Sequence, residues 1–364
     1  MTPPPDDAYV LRPATPQDLP DLERMAEAAA VGITTLPADR QALLDRLERS
    51  QQAFGTADDA SGEEIYHFVL EDTAAGRVVG TSGIAASAGF ADRFYSYRNE
   101  MVVHASAALG QSNRIHTLHL CHDLTGHTLL TSFYIEPAYA HTAAPQLLSR
   151  GRLLFIAQFA ERFADRIAAE SPGLADDAGR CPFWDAVGRR FFDRDYPTIE
   201  QLAGGRSKAF IAEMMPHSPI YVPLLPEAAQ WAIGQLHPQA ELPFSILLDE
   251  GFDTETYVDI FDGGPTVDAR LAMLRTVRRS IVARAHATLP DEGARGEAGR
   301  WLIATTDRAT FRATLAPADR RADGLHIDDA AHVRLGLRLG MRQGTGPAAE
   351  VRAAPLRDDE EMPR

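Results

Sequence analysis

The sequence predicts a mixed α+β fold, a sheet flanked by helices with a small β-rich subdomain toward its C-terminal end. Three observations predict it. A β-type run from Thr128 to Glu136 leads through a short loop into a stretch of helical apolar spacing. Ahead of that unit the order reads strand, helix, helix, then several antiparallel strands. Behind it, from about Leu271 to Leu339, β-type segments alternate with polar turns.

Taken in order, Tyr9 to Arg12 is a short first strand. Thr15 then caps a helix with Pro16 in its first position, and Leu19, Leu22 and Met25 fit the buried face. A second amphipathic helix covers Ala38 to Ser50 through Leu43, Leu44 and Leu47. Tyr66 to Glu71 and Arg77 to Gly83 read as a hairpin, and Met101 to His104 and Thr117 to Cys121 as two further strands.

The run Thr128 to Glu136 is aromatic and β-branched, with no internal glycine or proline, and Pro137 stops it. After the loop, Leu148, Gly151, Phe155, Phe159 and Phe163 share one helical face, with Arg150, Arg152, Gln158 and Arg162 as the wetter positions. A strand feeding a helix start is the geometry that cradles phosphates, because the first helical turn leaves amides unpaired. Here the loop Ala138 to Ala144 contains no glycine, and Pro145 removes an amide.

Further on, Pro182 to Phe192 and Ala209 to Met215 are expected as helices, the second ended by Pro216. Ile220 to Val222 is extended, and Pro226 to Ile233 is helical. Pro243 to Glu250 is a helix closed by Gly251, and Tyr257 to Phe261 a strand ending in the turn Asp262 to Pro265. Ser280 to Ala283, Trp301 to Thr305 and Phe311 to Leu315 supply the later strands. The expected organisation is one domain over 8–268 and a small β-rich subdomain over 269–342, with 1–7 and 343–364 disordered by composition.

A chain of 364 residues, 45% hydrophobic and 24% charged, can bury a large core. Its net charge of -15 argues against nucleic acid and anionic membrane as partners. No apolar run approaches the ~18 residues of a spanning helix, and Met1 to Asp7 lacks the basic and apolar regions of a signal peptide. Cys121 and Cys181 give no disulfide framework, so a reducing cytoplasm is expected. His104, His116, His119, Cys121, His122 and His127 invite a metal reading, but none of their spacings suits a ligand set, and no metal is expected. The sequence holds neither a Gly-x-Ser-x-Gly nucleophile elbow nor a Walker-type loop, which disfavours hydrolase and NTPase chemistry.

Several segments converge on one family. Arg98 to Ser106, Ser132-Phe-Tyr-Ile-Glu-Pro137 and Cys181-Pro-Phe-Trp-Asp-Ala-Val-Gly-Arg-Arg-Phe-Phe192 resemble the arginine N-succinyltransferases. So do Phe210 to Pro216, Gly234-Gln-Leu-His-Pro238 and Val258-Asp-Ile-Phe-Asp-Gly-Gly-Pro-Thr266. The resemblance spans about residues 9 to 340, and Cys121 to Gly126 followed by Leu129 to Tyr134 is similar to the alpha subunit of the two-subunit arginine/ornithine form. It implies a Gcn5-related N-acetyltransferase-like core and no tightly bound cofactor, with succinyl-CoA as co-substrate. It also implies arginine or ornithine as acceptor in arginine catabolism, and a related beta subunit as partner in a hetero-oligomer.

The same resemblance implies the site residues. The histidine of Gly-Gln-x-His-Pro, here His237, is the family's proton donor, and the main chain around Phe133 and Ile135 is the strand that pairs with the pantetheine arm. Read without it, a lone histidine such as His237 is more often structural, and the side chain of Phe133 belongs to the core. Arg98 is either a carboxylate-binding residue or half of a surface ion pair. The family's Arg- and Gly-containing diphosphate loop is missing from Ala138 to Pro145. Three readings follow: a catalytic alpha subunit, a non-catalytic structural or regulatory subunit with a degenerate CoA loop, or a self-sufficient transferase with an altered CoA contact.

Overall fold

The computed structural model describes residues 8–30, 32–56, 60–176, 178–203, 209–287, 299–337 and 349–356. The chain enters on β1 (Tyr9–Pro13), then α1 (Leu19–Ala28) and α2 (Arg40–Gly55), then β2 (Ile65–Asp72), β3 (Arg77–Ala85), β4 (Ser96–Ser106), β5 (Gln111–Cys121) and β6 (Thr128–Ile135). Next come α3 (Ala144–Gln158) and β7 (Arg166–Glu170), then the helices α4 (Pro182–Ala186), α5 (Arg189–Phe192), α6 (Tyr196–Ala203) and α7 (Ala209–Ala212). After them lie β8 (Ile220–Tyr221), α8 (Glu227–Ala232), α9 (Glu241–Glu250), β9 (Asp253–Val258), β10 (Pro265–Arg270) and α10 (Arg275–Arg279). The last part carries β11 (Ile281–Ala287), β12 (Arg300–Thr305), β13 (Ala313–Arg321), β14 (Gly324–Ile327), α11 (Asp329–Arg334) and β15 (Glu350–Pro355).

A twisted open sheet runs β1-β2-β3-β6-β7-β10-β9-β4-β5-β8. It is antiparallel except where β6 lies parallel to β7. Strand alternation sends Tyr66, Phe68 and Leu70 of β2 into one apolar cluster with Leu148, Leu154 and Phe155 of α3. Val69 and Val78 point the other way, against Leu22, Met25, Leu43 and Leu47 of α1 and α2. The second of those helices is started by Asp39, whose carboxylate accepts from the Ala42 amide at 2.8 Å. A third cluster, around Trp184, Phe183 and Phe261, packs the short helices against the far end of the sheet.

At the other end β12, β15, β11, β14 and β13 close on one another through the β12–β13 pairing, so five strands form a small barrel. The barrel joins the open sheet through β13 and β1, where Leu11 faces Ala313. Within 343–364, expected to be disordered, the described residues 349–356 correct that expectation. Glu350 to Pro355 is β15, inserted between β12 and β11, and Val351, Ala353 and Ala354 are wholly buried there. Small apolar residues suit a tight barrel interior, although their composition reads as that of a tail. Residues 1–7, 343–348 and 357–364 lie outside those described.

Other expectations shift in bounds. The helix foreseen over 182–192 is two helices, broken at Val187 and Gly188, because the Trp184 ring folds over Gly188. A Cβ there would fall 2.2 Å from the ring. The third helix stops at Gln158, so Phe159 and Phe163 follow it instead of riding on it. Arg150, Arg152 and Arg162, expected at wet positions, are 3%, 2% and 7% exposed. The helix is covered all round, with Arg150 Nε 2.7 Å from the buried Glu250 carboxylate. The strand foreseen at 257–261 ends at Val258, where the chain turns back through an Asp259 N–H bond to Gly264 O at 2.8 Å.

Candidate functional site

The two parallel strands pair only over Thr128–Ile167, Leu129–Ala168 and Leu130–Ala169. Beyond Leu130 they separate, and β6 continues to Ile135 bonded to β3 on its other side. A bulge marks the point of departure. Between the pairs Thr81–Tyr134 and Gly83–Thr131 the sixth strand carries an extra residue, and Ser132 adopts φ +53. A serine in the left-handed region has to be held there. It is: the Ser132 amide donates to Thr35 Oγ1 at 3.0 Å, and Arg46 Nη1 donates to Ser132 Oγ at 2.9 Å.

The split thus has a wall from the α1–α2 connection, which brings Thr35 to β6. Gly32 on the same connection meets the second wall. With φ +77, it lies so close to Tyr196 that a Cβ would fall 2.1 Å from the phenolic oxygen. Tyr196 Oη donates to Asp262 Oδ2 at 3.3 Å, and the same carboxylate takes the Gly173 amide at 2.7 Å and the Gly264 amide at 2.8 Å. Burial and then the Asp262 charge hold the Tyr196 phenol well above its usual pKa, so it stays protonated.

His237 belongs to this second wall. Its amide donates to Pro172 O at 2.9 Å, and Leu236 bridges Gly173, just past the end of β7. The ring caps the short turn Pro238–Ala240, with Nδ1 accepting the Gln239 amide at 3.2 Å. A neutral imidazole that accepts at Nδ1 carries its proton on Nε2, so the ring is held as a hydrogen-bond donor at Nε2. To become a full acid it must first bind a second proton at Nδ1 and release Gln239.

Phe133 and Ile135 lie on the diverging part of β6, packed against the α3-side core. The Arg152 guanidinium sits 5.6 Å from the Phe133 ring centroid. Arg98 lies elsewhere. It is on β4, which borders β9, and β9 and β10 separate it from β7. Its guanidinium is shared between Glu100 and Asp123, each at 2.5 Å. His237, Phe133 and Ile135 therefore border one opening, and Arg98 does not join them.

Thr35, Arg46, Ser132, Tyr196 and Asp262 line the site without having been singled out from the sequence. Of these, Ser132 and Asp262 stood inside quoted motifs. Burial raises the thiol of Cys181 to about 12, which removes it as a nucleophile at neutral pH. The α3 N-terminus is closed on itself. The Tyr139, Ala140 and Thr142 amides bond to Glu136, Pro137 and Tyr139 carbonyls, and the Ala144 amide to Thr142 Oγ1 at 3.1 Å. Among the described residues no group of three or more His, Cys, Asp or Glu could hold a metal ion, and no helix is long and apolar enough to cross a membrane.

Comparison with known proteins gives one answer along the chain. The family described as Arginine N-succinyltransferase beta subunit matches residues 9–276, and its C-terminal domain matches residues 283–340. The subunit alpha of arginine N-succinyltransferase from Pseudomonas aeruginosa is 46% identical over 338 residues, 90% of this chain and 98% of the relative. The subunit beta from the same organism is 39% identical over 348 residues, 95% of this chain and 98% of the relative. Among solved structures, the arginine/ornithine succinyltransferase subunit AI from Pseudomonas aeruginosa superimposes with TM-score 0.84 at 42% identity, covering 97% of this chain and 100% of that one.

Proposed function

Because this chain belongs to the arginine N-succinyltransferase family, we propose that it transfers succinyl from succinyl-CoA to the α-amino group of arginine or ornithine. We assign it as the alpha subunit of an assembly with a related beta chain. The observation that carries the reading is the opening between β6 and β7. Past Leu130 the β7-facing edge of β6 has no strand partner among the described residues. An extended diamide such as pantetheine fits that edge as an added strand, its amides pairing with the main chain around Phe133 and Ile135. That pairing is the Gcn5-related N-acetyltransferase way of holding a thioester, and it supports the finer fold assignment.

Transfer needs a neutral amine, a polarised carbonyl and a group to meet the leaving thiolate. The amine attacks the thioester carbon, the C–S bond breaks, and one proton passes from nitrogen to sulfur. His237 is the residue we assign to the sulfur side: its Nδ1 contact leaves Nε2–H to hydrogen-bond the departing thiolate. Full proton transfer requires the imidazolium formed when Nδ1 releases Gln239 and takes up the proton that the amine loses. Arg98 would have to release Glu100 or Asp123 before it could hold a substrate carboxylate.

The self-satisfied loop at 137–144 favours a qualification on affinity. Four of its amides are spent internally, so the diphosphate of CoA gains few of the oriented donors that a glycine loop supplies. We infer that the isolated chain grips succinyl-CoA weakly and that the beta chain completes the enzyme. The test is to assay this chain alone, the related chain alone and the two copurified, following succinylated arginine by mass spectrometry. Product from the pair, and little from this chain alone, is expected. Full turnover by this chain alone would return it to the self-sufficient enzymes, and no product from any combination would sink the assignment.

A further inference from the structure

Most guanidiniums that reach the interior of this protein find a carboxylate. Arg12 is clamped by Asp18 and Glu71, Arg150 meets Glu250, and Arg162 meets Glu64. Arg46 does not. Its Nη1 donates to Thr35 O and to Ser132 Oγ, both at 2.9 Å, and among the described residues no carboxylate lies within ion-pair distance. The chain has 51 acidic residues and a net charge of -15, so a positive charge left without a partner is not a matter of supply.

The groups around it supply no counter-charge. His67 is 1% exposed, its Nε2 pairs with Thr81 Oγ1 at 2.9 Å, and its buried Nδ1 has no partner among the described residues. Desolvation, and then the Arg46 charge, hold that imidazole neutral, down at about 3. Arg46 itself is only partly exposed, and loss of water, with repulsion from Arg49 behind it, lowers its pKa to about 10. A desolvated cation among neutral dipoles is unfavourable in the free protein, and a bound anion would remove that cost. Its place is equally specific. Ser132 is two residues past Leu130, where β6 leaves β7, so the guanidinium stands at the mouth of the split.

We propose that Arg46 is the counter-ion of a substrate carboxylate at the split, and so a specificity-determining residue of the transfer. The inference rests on the reading of the split as the transfer site. Two substrate carboxylates have the right chemistry: the free end of a dicarboxylic acyl group, and the α-carboxylate of the amino-acid acceptor. A guanidinium takes either one through paired N–H donors.

The experiment uses the assembled enzyme with Arg46→Gln and Arg46→Lys. Relative kcat/KM is measured for succinyl-CoA against acetyl-CoA with arginine, and for arginine against its decarboxylated analogue with succinyl-CoA. Each ratio is independent of how much of a variant folds. Arg46→Gln is expected to lower one ratio by ~10- to 100-fold, the scale of a charge-assisted contact, with Arg46→Lys recovering part of it. A fall in the acyl ratio assigns the acyl carboxylate, and a fall in the acceptor ratio assigns the α-carboxylate. Both ratios unchanged, whether or not overall rates drop, would overturn the proposal and leave Arg46 as a support for Ser132. A wild-type enzyme that makes no succinylated product would instead remove the underlying reading.

Discussion

At residue scale, the neutral His67 links stability to pH. Its pKa of about 3 lies below the usual 6.5, so the unfolded chain binds the proton more readily than the native one. The resulting stability is present above the unfolded pKa and is lost as pH falls from 6.5 toward 3. His67→Gln should therefore flatten the loss of stability across that window in denaturant titrations. An unchanged slope would mean that the ring protonates without opening the fold. Gly32 carries a steric prediction. Gly32→Ala places a Cβ 2.1 Å from Tyr196 Oη at φ +77, and a cost of roughly 1–3 kcal/mol is expected. Adding Tyr196→Phe should recover part of it, since the next ring atom is 3.2 Å away. Equal stability of Gly32→Ala and the parent would show that the two walls do not touch. His237→Ala should melt like the parent while transfer falls, and unchanged turnover at saturating substrate would end its proton-handling role.

At element scale, β15 makes the sharpest claim. A chain stopped after Gly346 loses the strand between β12 and β11 and leaves their edges unpaired. Soluble, cooperatively folding truncated protein would contradict the closed barrel. The loop at 137–144 makes the second claim. Titration of the isolated chain with succinyl-CoA should give ~millimolar affinity, about -4 kcal/mol, and micromolar binding would show that contacts along β6 outweigh the missing amides.

The elements differ in how legible they were, for physical reasons. Thr128 to Ile135 was plain because aromatic and β-branched residues fill a half-buried strand. Arg166 to Glu170 and Glu350 to Pro355 were not, since short alanine-rich runs buried between neighbours need no alternation. In β5 the outer half, Gln111 to His116, was missed because both its faces meet water, which leaves no periodic signal. In β4 it was the inner end, Ser96 to Glu100, whose polar and charged residues show no apolar alternation.

At the scale of the whole molecule, the open sheet has its opening near the middle, between a helix-covered half and the short-helix half. His237 was legible only through a motif. Arg46 had no signal at all, because its role depends on Ser132, 86 residues along the chain. Tyr196 and Asp262 likewise meet only when the chain has folded. The central claim is that the coenzyme arm occupies the free edge of β6. Hydrogen exchange of the assembled enzyme, with and without succinyl-CoA, tests it most directly. The account predicts new protection of amides within Thr131 to Ile135 of this chain when the coenzyme is present. Protection confined to the related chain, with those amides unchanged, would contradict it.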